Sequence, residues 1–184
     1  MPLSPSILAA LRRVGGTSLL VALVLLGVTL LAYGLGIRLN LSASIPPGLY
    51  RIAAGSIGTG TVVMVCLPSH ISAFARSRGF VPNGSCADGS APIGKTVAAT
   101  AGDVVDVSTM GIVVNGRALR NSRPLMFDSE HRPLVPFTPG HYVVRRNDVW
   151  LVSTYSSHSF DSRYFGPVHT SSIVARVRPL LVLR

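Results

Sequence analysis

The chain has 184 residues, with 17 Lys+Arg against 7 Asp+Glu, a formal net charge of +10 and a pI of about 11.0. No carboxylate side chain precedes Asp88, which argues against a two-carboxylate glycosidase, an EF-hand or any oxygen-ligated metal site in the first half. At 48% hydrophobic and 13% charged, with mean hydropathy +0.47, the chain is too apolar for disorder, has the length of one ordinary domain and points to a membrane segment.

Residues 14–37 carry no charge and are bounded by Arg12 and Arg13 before and Arg38 after. As a helix this run reaches about 36 Å at about 1.5 Å per residue, enough to cross a hydrocarbon core of about 30 Å with some tilt. Its middle is almost purely Leu, Val and Ala, apolar on every face rather than amphipathic, with a buried soluble helix as the alternative reading. A cleaved secretory signal is the competing reading, with Ser42-Ala43-Ser44 as its cleavage site. Such a signal has a shorter apolar region, and here Arg38 interrupts the approach to that site, so an uncleaved anchor is expected. Arg12 and Arg13 place residues 1–13 in the cytoplasm by the positive-inside tendency, and residues 38–184 across the membrane.

Beyond Arg38 short β-like runs alternate with turn residues. Residues 61–66 read as a strand. Residues 69–79 read as a helix capped by Ser69, with Ile71, Phe74 and Ala75 on one face and Gly79 as the stop. Residues 95–99 and 104–107 flank a turn at 101–103, and residues 111–115 run into Asn115-Gly116, a favoured hairpin turn. Residues 120–139 contain four prolines and no steady period, so an extended insertion is expected there. Residues 142–145 and 149–152 read as strands, and residues 173–177 and 180–183 close the chain. A mostly-β domain on a single helical anchor follows. Cys66 and Cys86 are the only cysteines; across the membrane a disulfide is their natural state, with two unlinked buried thiols as the alternative. Their spacing and that of the histidines do not resemble a zinc site. No metal and no cofactor are expected.

Three stretches carry residues suited to chemistry. In residues 40–50 two prolines and a glycine hold the backbone around Ser44 in an extended turn, close behind the membrane segment. In residues 94–103 the chain's only lysine, Lys95, opens an apolar run. Arg keeps its proton in a protein, whereas a desolvated Lys is able to lose it and act as a general base. Residues 155–167 are rich in hydroxyls and contain the opposite charges Asp161 and Arg163, a pair that by itself often only pins a turn.

Together these stretches resemble the signal peptidases of the serine–lysine type, most closely their conjugation branch, the TraF-like pilin-processing peptidases. Ser-Ile-Pro-Pro-Gly-Leu-Tyr, residues 44–50, is similar to the branch's nucleophile box and implies Ser44 as nucleophile. Ser42 falls where bacterial signal peptidases keep a hydroxyl for the oxyanion hole, alongside the Ser44 N–H. Gly-Lys-Thr-Val-Ala, from Gly94, resembles the box of the general-base lysine and implies that role for Lys95. Ser-Phe-Asp-Ser-Arg, residues 159–163, resembles the third box: Ser159 would orient the lysine amine, with Asp161, Ser162 and Arg163 supporting the site. The three boxes occur in the family's order over residues 38–184. Two departures argue against a housekeeping role: Ile45 stands where general signal peptidases have Met, and residues 152–155 replace their Gly-Asp-Asn.

The resemblance implies a membrane-anchored serine endopeptidase of the bacterial inner membrane with its catalytic domain in the periplasm. Its substrate would be a precursor pilin or another exported protein, with an acyl-enzyme resolved by water or by the substrate's own N-terminus to give a cyclic product; Asp161 is the residue expected to assist that last step. A non-enzymatic, membrane-anchored component of a conjugation or secretion apparatus fits the anchor and the β domain but gives no reason for the three boxes. A high pI suggests nucleic acid, yet the arginines are scattered without a recognition motif, so no nucleic-acid partner is expected.

Overall fold

The computed structural model describes residues 16–183, with the backbone of helix α1 (Pro5–Gly34) running back to Pro5. Within α1 the 19 residues Gly16–Gly34 are apolar enough to cross a membrane, and at about 1.5 Å per residue they reach about 28 Å. Its large side chains, from Leu19 to Leu31, are each more than half exposed. A helix that is apolar all round and buries none of its faces fits a single-pass membrane anchor. Arg12 and Arg13, on which the expected orientation rests, lie outside the described residues.

The chain divides between Arg38 and Leu39 into two compact units. The second is mostly strand: β1 (Ile37–Asn40) at the junction, then β2 (Gly48–Ile52), β3 (Val62–Val65), β4 (Ile93–Ala99), β5 (Val104–Ser108), β6 (Gly111–Val114), β7 (Arg117–Ala118), β8 (Gly140–Val143), β9 (Asp148–Leu151), β10 (Val168–His169) and β11 (Ile173–Val182). Two short helices interrupt them, α2 (Ser69–Ser77) and α3 (Ser162–Phe165). The larger sheet has the order β1-β2-β11-β3-β4-β9-β10 and the smaller β7-β6-β5-β8.

The turn at residues 101–103 does not fold β4 and β5 onto each other. It carries the chain from the large sheet to the small one, with Gly102 N–H donating to Val144 O at 3.0 Å and Val144 N–H to Asp103 O at 2.9 Å. Strands β8 and β9 likewise belong to different sheets. Asn115 and Gly116 both take positive φ, 49° and 78°, and close the β6–β7 hairpin as expected for a turn whose twist matches its strands. The two closing runs are one strand: β11 pairs with β3 through its first half and with β2 through its second, with an irregularity between Pro179 and Leu181. Gly48 starts β2 at φ +147°, where a Cβ would overlap the Leu181 carbonyl oxygen, so only glycine permits this approach.

Ser69 is not the cap of α2. Pro68 occupies that position, with no side-chain cap, and Ser69 is the first helical residue. Gly79 stops the helix at φ +73°, with Phe80 N–H bonded to Ala75 O at 2.8 Å and Gly79 N–H to Arg76 O at 3.0 Å. Of the expected apolar face, Ala75 is buried, while Phe74 remains exposed beside Phe80 and Phe160. Residues 120–139 form no named strand, yet they pack: Leu134 is buried, and the Phe137 ring meets Trp150 edge-on at 5.5 Å. Trp150 joins Val105, Ile112 and Val152 in the core shared with the small sheet. A second core beneath the large sheet gathers Val63, Val65, Val97, Val149 and Leu151. Cys66, just after β3, is disulfide-bonded to Cys86 and so ties the segment carrying α2 back to the large sheet.

Candidate active site

Lys95 lies on β4 opposite Val63 of β3, and its side chain is only 2% exposed. An ammonium in such a place is stripped of water, which disfavours its charged form. Burial accordingly pulls Lys95 down from its ordinary 10.5 to about 8; Asp161 acts against this and Arg163 adds to it. Lys95 Nζ donates to Ser44 Oγ at 2.7 Å and to Ser159 Oγ at 2.7 Å, and the Ser159 hydroxyl donates to Ser44 Oγ at 3.1 Å. Three side chains 51 and 64 positions apart in sequence thus close one triangle of hydrogen bonds. Once the lysine is neutral, its lone pair sits at hydrogen-bond distance from the Ser44 hydroxyl.

Ser44 reaches this point because its neighbour Ile45 is anchored. Ile45 is 1% exposed and packs with Tyr50 and Val177 in a third apolar cluster. Gly94, next to Lys95 on β4, leaves the space: a Cβ there would stand 2.7 Å from Ile45 Cδ1. The Gly94-Lys95 dipeptide therefore combines a seat for the turn carrying Ser44 with the buried amine. The turn is fixed further by Tyr50, whose hydroxyl donates to Pro46 O at 2.7 Å. Ser42 is exposed, and its hydroxyl donates to Asn40 Oδ1 at 2.8 Å. Neither Asn40 nor Tyr50 was singled out by motif alone. An Asn two residues before a Ser is the pattern of a side-chain-closed turn, and that signal was available at Asn40.

Asp161 and Arg163 are fully buried and paired through two contacts of 2.8 Å, Arg163 Nε to Oδ1 and a terminal guanidinium nitrogen to Oδ2. The Ser153 N–H also donates to Asp161 Oδ2 at 2.9 Å. Both carboxylate oxygens are thus engaged by buried donors beside the loop that carries Ser159. The remaining Arg163 donors reach Asn121 O at 2.7 Å, Ser157 O at 2.9 Å and Ser159 O at 2.9 Å. They hang the loop that carries Ser159 on one fixed cation. Ser162 Oγ accepts from Leu151 N–H at 2.8 Å and joins the same loop to β9. A cavity of about 530 Å³ beyond Phe160 is lined by α2, residues 133–135 and α3, and neither Ser44 nor Lys95 lines it.

A family model described as signal peptidase, peptidase S26, matches residues 11–181. The plasmid transfer protein TraF of Escherichia coli is 37% identical over 169 residues, covering 91% of this chain and 91% of that protein. The conjugal transfer protein TraF of Agrobacterium tumefaciens (strain 15955) is 40% identical over 148 residues, 79% of this chain and 82% of that protein. Among solved structures, a signal peptidase I from Enterococcus faecalis aligns over 72% of this chain and 100% of that one, at TM-score 0.38 and 16% identity. With relatives this similar over most of its length, the chain belongs to the S26 signal peptidase family, together with the TraF proteins of plasmid and conjugal transfer.

Proposed function

We propose that the protein is a membrane-anchored serine endopeptidase that cleaves an exported precursor during conjugation, with Ser44 as nucleophile and Lys95 as general base. The observation that carries this reading is the 2.7 Å contact between Ser44 Oγ and the Nζ of a buried lysine drawn down to about 8. Ser44 Oγ attacks the scissile carbonyl carbon while its proton passes to neutral Lys95 Nζ. The oxyanion is met by the Ser44 N–H and the Ser42 hydroxyl. Collapse of the tetrahedral intermediate breaks the C–N bond; Lys95 returns the proton to the leaving amine, and an ester to Ser44 remains. Ser159, bonded to the same amine, holds it in line throughout.

The ester is resolved by water, which regenerates Ser44 and yields a linear product, or by the substrate's own N-terminal amine, which yields a cyclic one. We assign the substrate to the precursor pilin class, residues 1–13 to the cytoplasm, residues 14–37 to the inner membrane and residues 38–184 to the periplasm. Mass spectrometry of a candidate pilin precursor incubated with the full-length enzyme in membranes tests the assignment. Cleaved product, or cleaved product lacking one further water, is expected. A precursor left intact, together with no labelling of Ser44 by a serine-directed acylating inhibitor, would overturn it.

A further inference from the structure

The hydroxyl assigned to the oxyanion is already committed in the resting protein. Ser42 Oγ donates to Asn40 Oδ1 at 2.8 Å, and the Ser42 N–H reaches the same oxygen at 3.3 Å. The other end of the Asn40 amide turns to backbone carbonyls: Nδ2 donates to Ser42 O at 2.9 Å and, at longer range, to Ile45 O at 3.2 Å and Pro46 O at 3.3 Å. The two shortest contacts of this half-buried side chain therefore both fall on Ser42. Ser44 has its own supports, the buried Ile45 side chain and the Tyr50–Pro46 hydrogen bond. The turn is thus held from two sides, Ser42 by Asn40 and Ser44 by Ile45 and Tyr50.

We propose that Asn40 is the positioning residue for the second oxyanion donor, acting through Ser42. It places Ser42 in the turn and parks its hydroxyl proton on Oδ1. When the tetrahedral intermediate forms, the hydroxyl rotates from a neutral acceptor to an anionic one, a stronger partner, and no proton changes owner. The Ser42 N–H remains on Oδ1, so the exchange leaves that oxygen partnered. Asn40 thereby holds the Ser42 backbone and oxygen in place before charge develops, so only the hydroxyl hydrogen has to turn. This inference rests on the Ser44 and Ser42 assignments above.

The test is a double-mutant cycle on the full-length protein in membranes, reading kcat and KM on a cleavable precursor. Ser42→Ala is expected to lower kcat by about 10²–10³-fold. Asn40→Ala is expected to lower it by about 10-fold or more, with KM and the pH midpoint unchanged, because a misplaced donor costs transition-state binding alone. Because Asn40 acts through Ser42, the double variant should be no slower than Ser42→Ala, within about threefold. Asn40→Asp keeps the acceptor and the size; its charge grips the Ser42 hydroxyl, and the same non-additive pattern is expected if Asn40→Ala fails to accumulate. Multiplicative effects, a shifted pH midpoint or wild-type kcat in the Asn40 variants would overturn the proposal. Ser44→Ala, measured alongside, separates the failures. Complete loss there with multiplicative Asn40 and Ser42 effects overturns the Asn40 proposal alone, whereas undiminished cleavage by Ser44→Ala overturns the nucleophile assignment as well.

Discussion

Lys95 couples stability to pH through its burial. The unfolded chain holds this lysine's proton up to about 10.4, whereas the folded one gives it up near 8. Between those values the unfolded state binds more protons, so stability rises with pH through that window and is lower by on the order of 3 kcal/mol below it. Lys95→Met should therefore unfold at higher denaturant concentration than wild type at pH 7, with the difference vanishing above about pH 10. With Lys95 as the base, kcat/KM should climb with pH and level off above about 8, following the fraction of neutral amine. A profile flat from pH 6 to 9 would contradict the assignment. Gly94 acts at shorter range. The added methyl of Gly94→Ala meets Ile45 Cδ1 at 2.7 Å, so the tip of this buried side chain must move, and kcat should fall by about 10²-fold where the turn carrying Ser44 follows it by about 1 Å. Circular dichroism of that variant should stay native while the rate falls.

Strands β3 and β4 form the element that makes the site rigid, and the disulfide is fastened to its end. Val65 pairs with Ile93 just before Cys66, two positions from Lys95 in the neighbouring strand. Replacing both cysteines by serine should cost about 3 kcal/mol on the loop-entropy account, read as a lower midpoint in urea, with the kcat of the folded fraction retained. A loss of kcat without a loss of stability would place the disulfide in the chemistry instead. At this scale the strands themselves were legible, because Val-rich runs bounded by Gly and Pro announce them. Their partners were not. Nothing in residues 95–107 distinguishes a hairpin from a crossing between sheets, since that choice is made by β8 and β9 more than thirty residues on. Ser69 failed as a cap because Pro68, with its fixed φ, already occupied the entry to α2. Asn40 lies outside the three boxes, and only the Asn-to-Ser spacing of a side-chain-closed turn marks it in the sequence. The boxes led to Ser44, Lys95 and Ser159; how fully Arg163 engages Asp161 is visible only in the fold.

Across the whole molecule, charge and apolarity are sorted by task. The apolar surplus lies in α1, which carries its leucines and valines bare on every face. Basic charge is otherwise given to arginine, and the only lysine is the buried Lys95, the base in the proposed chemistry. That contrast frames the most direct measurement. Lys95→Arg keeps the positive charge and most of the length but removes the group that titrates near 8. In membranes bearing the full-length protein and a leader-bearing pilin precursor, this variant should remain folded and membrane-bound and leave the precursor intact by mass spectrometry. Wild-type protein should convert it. Undiminished cleavage by Lys95→Arg would contradict the account at its centre.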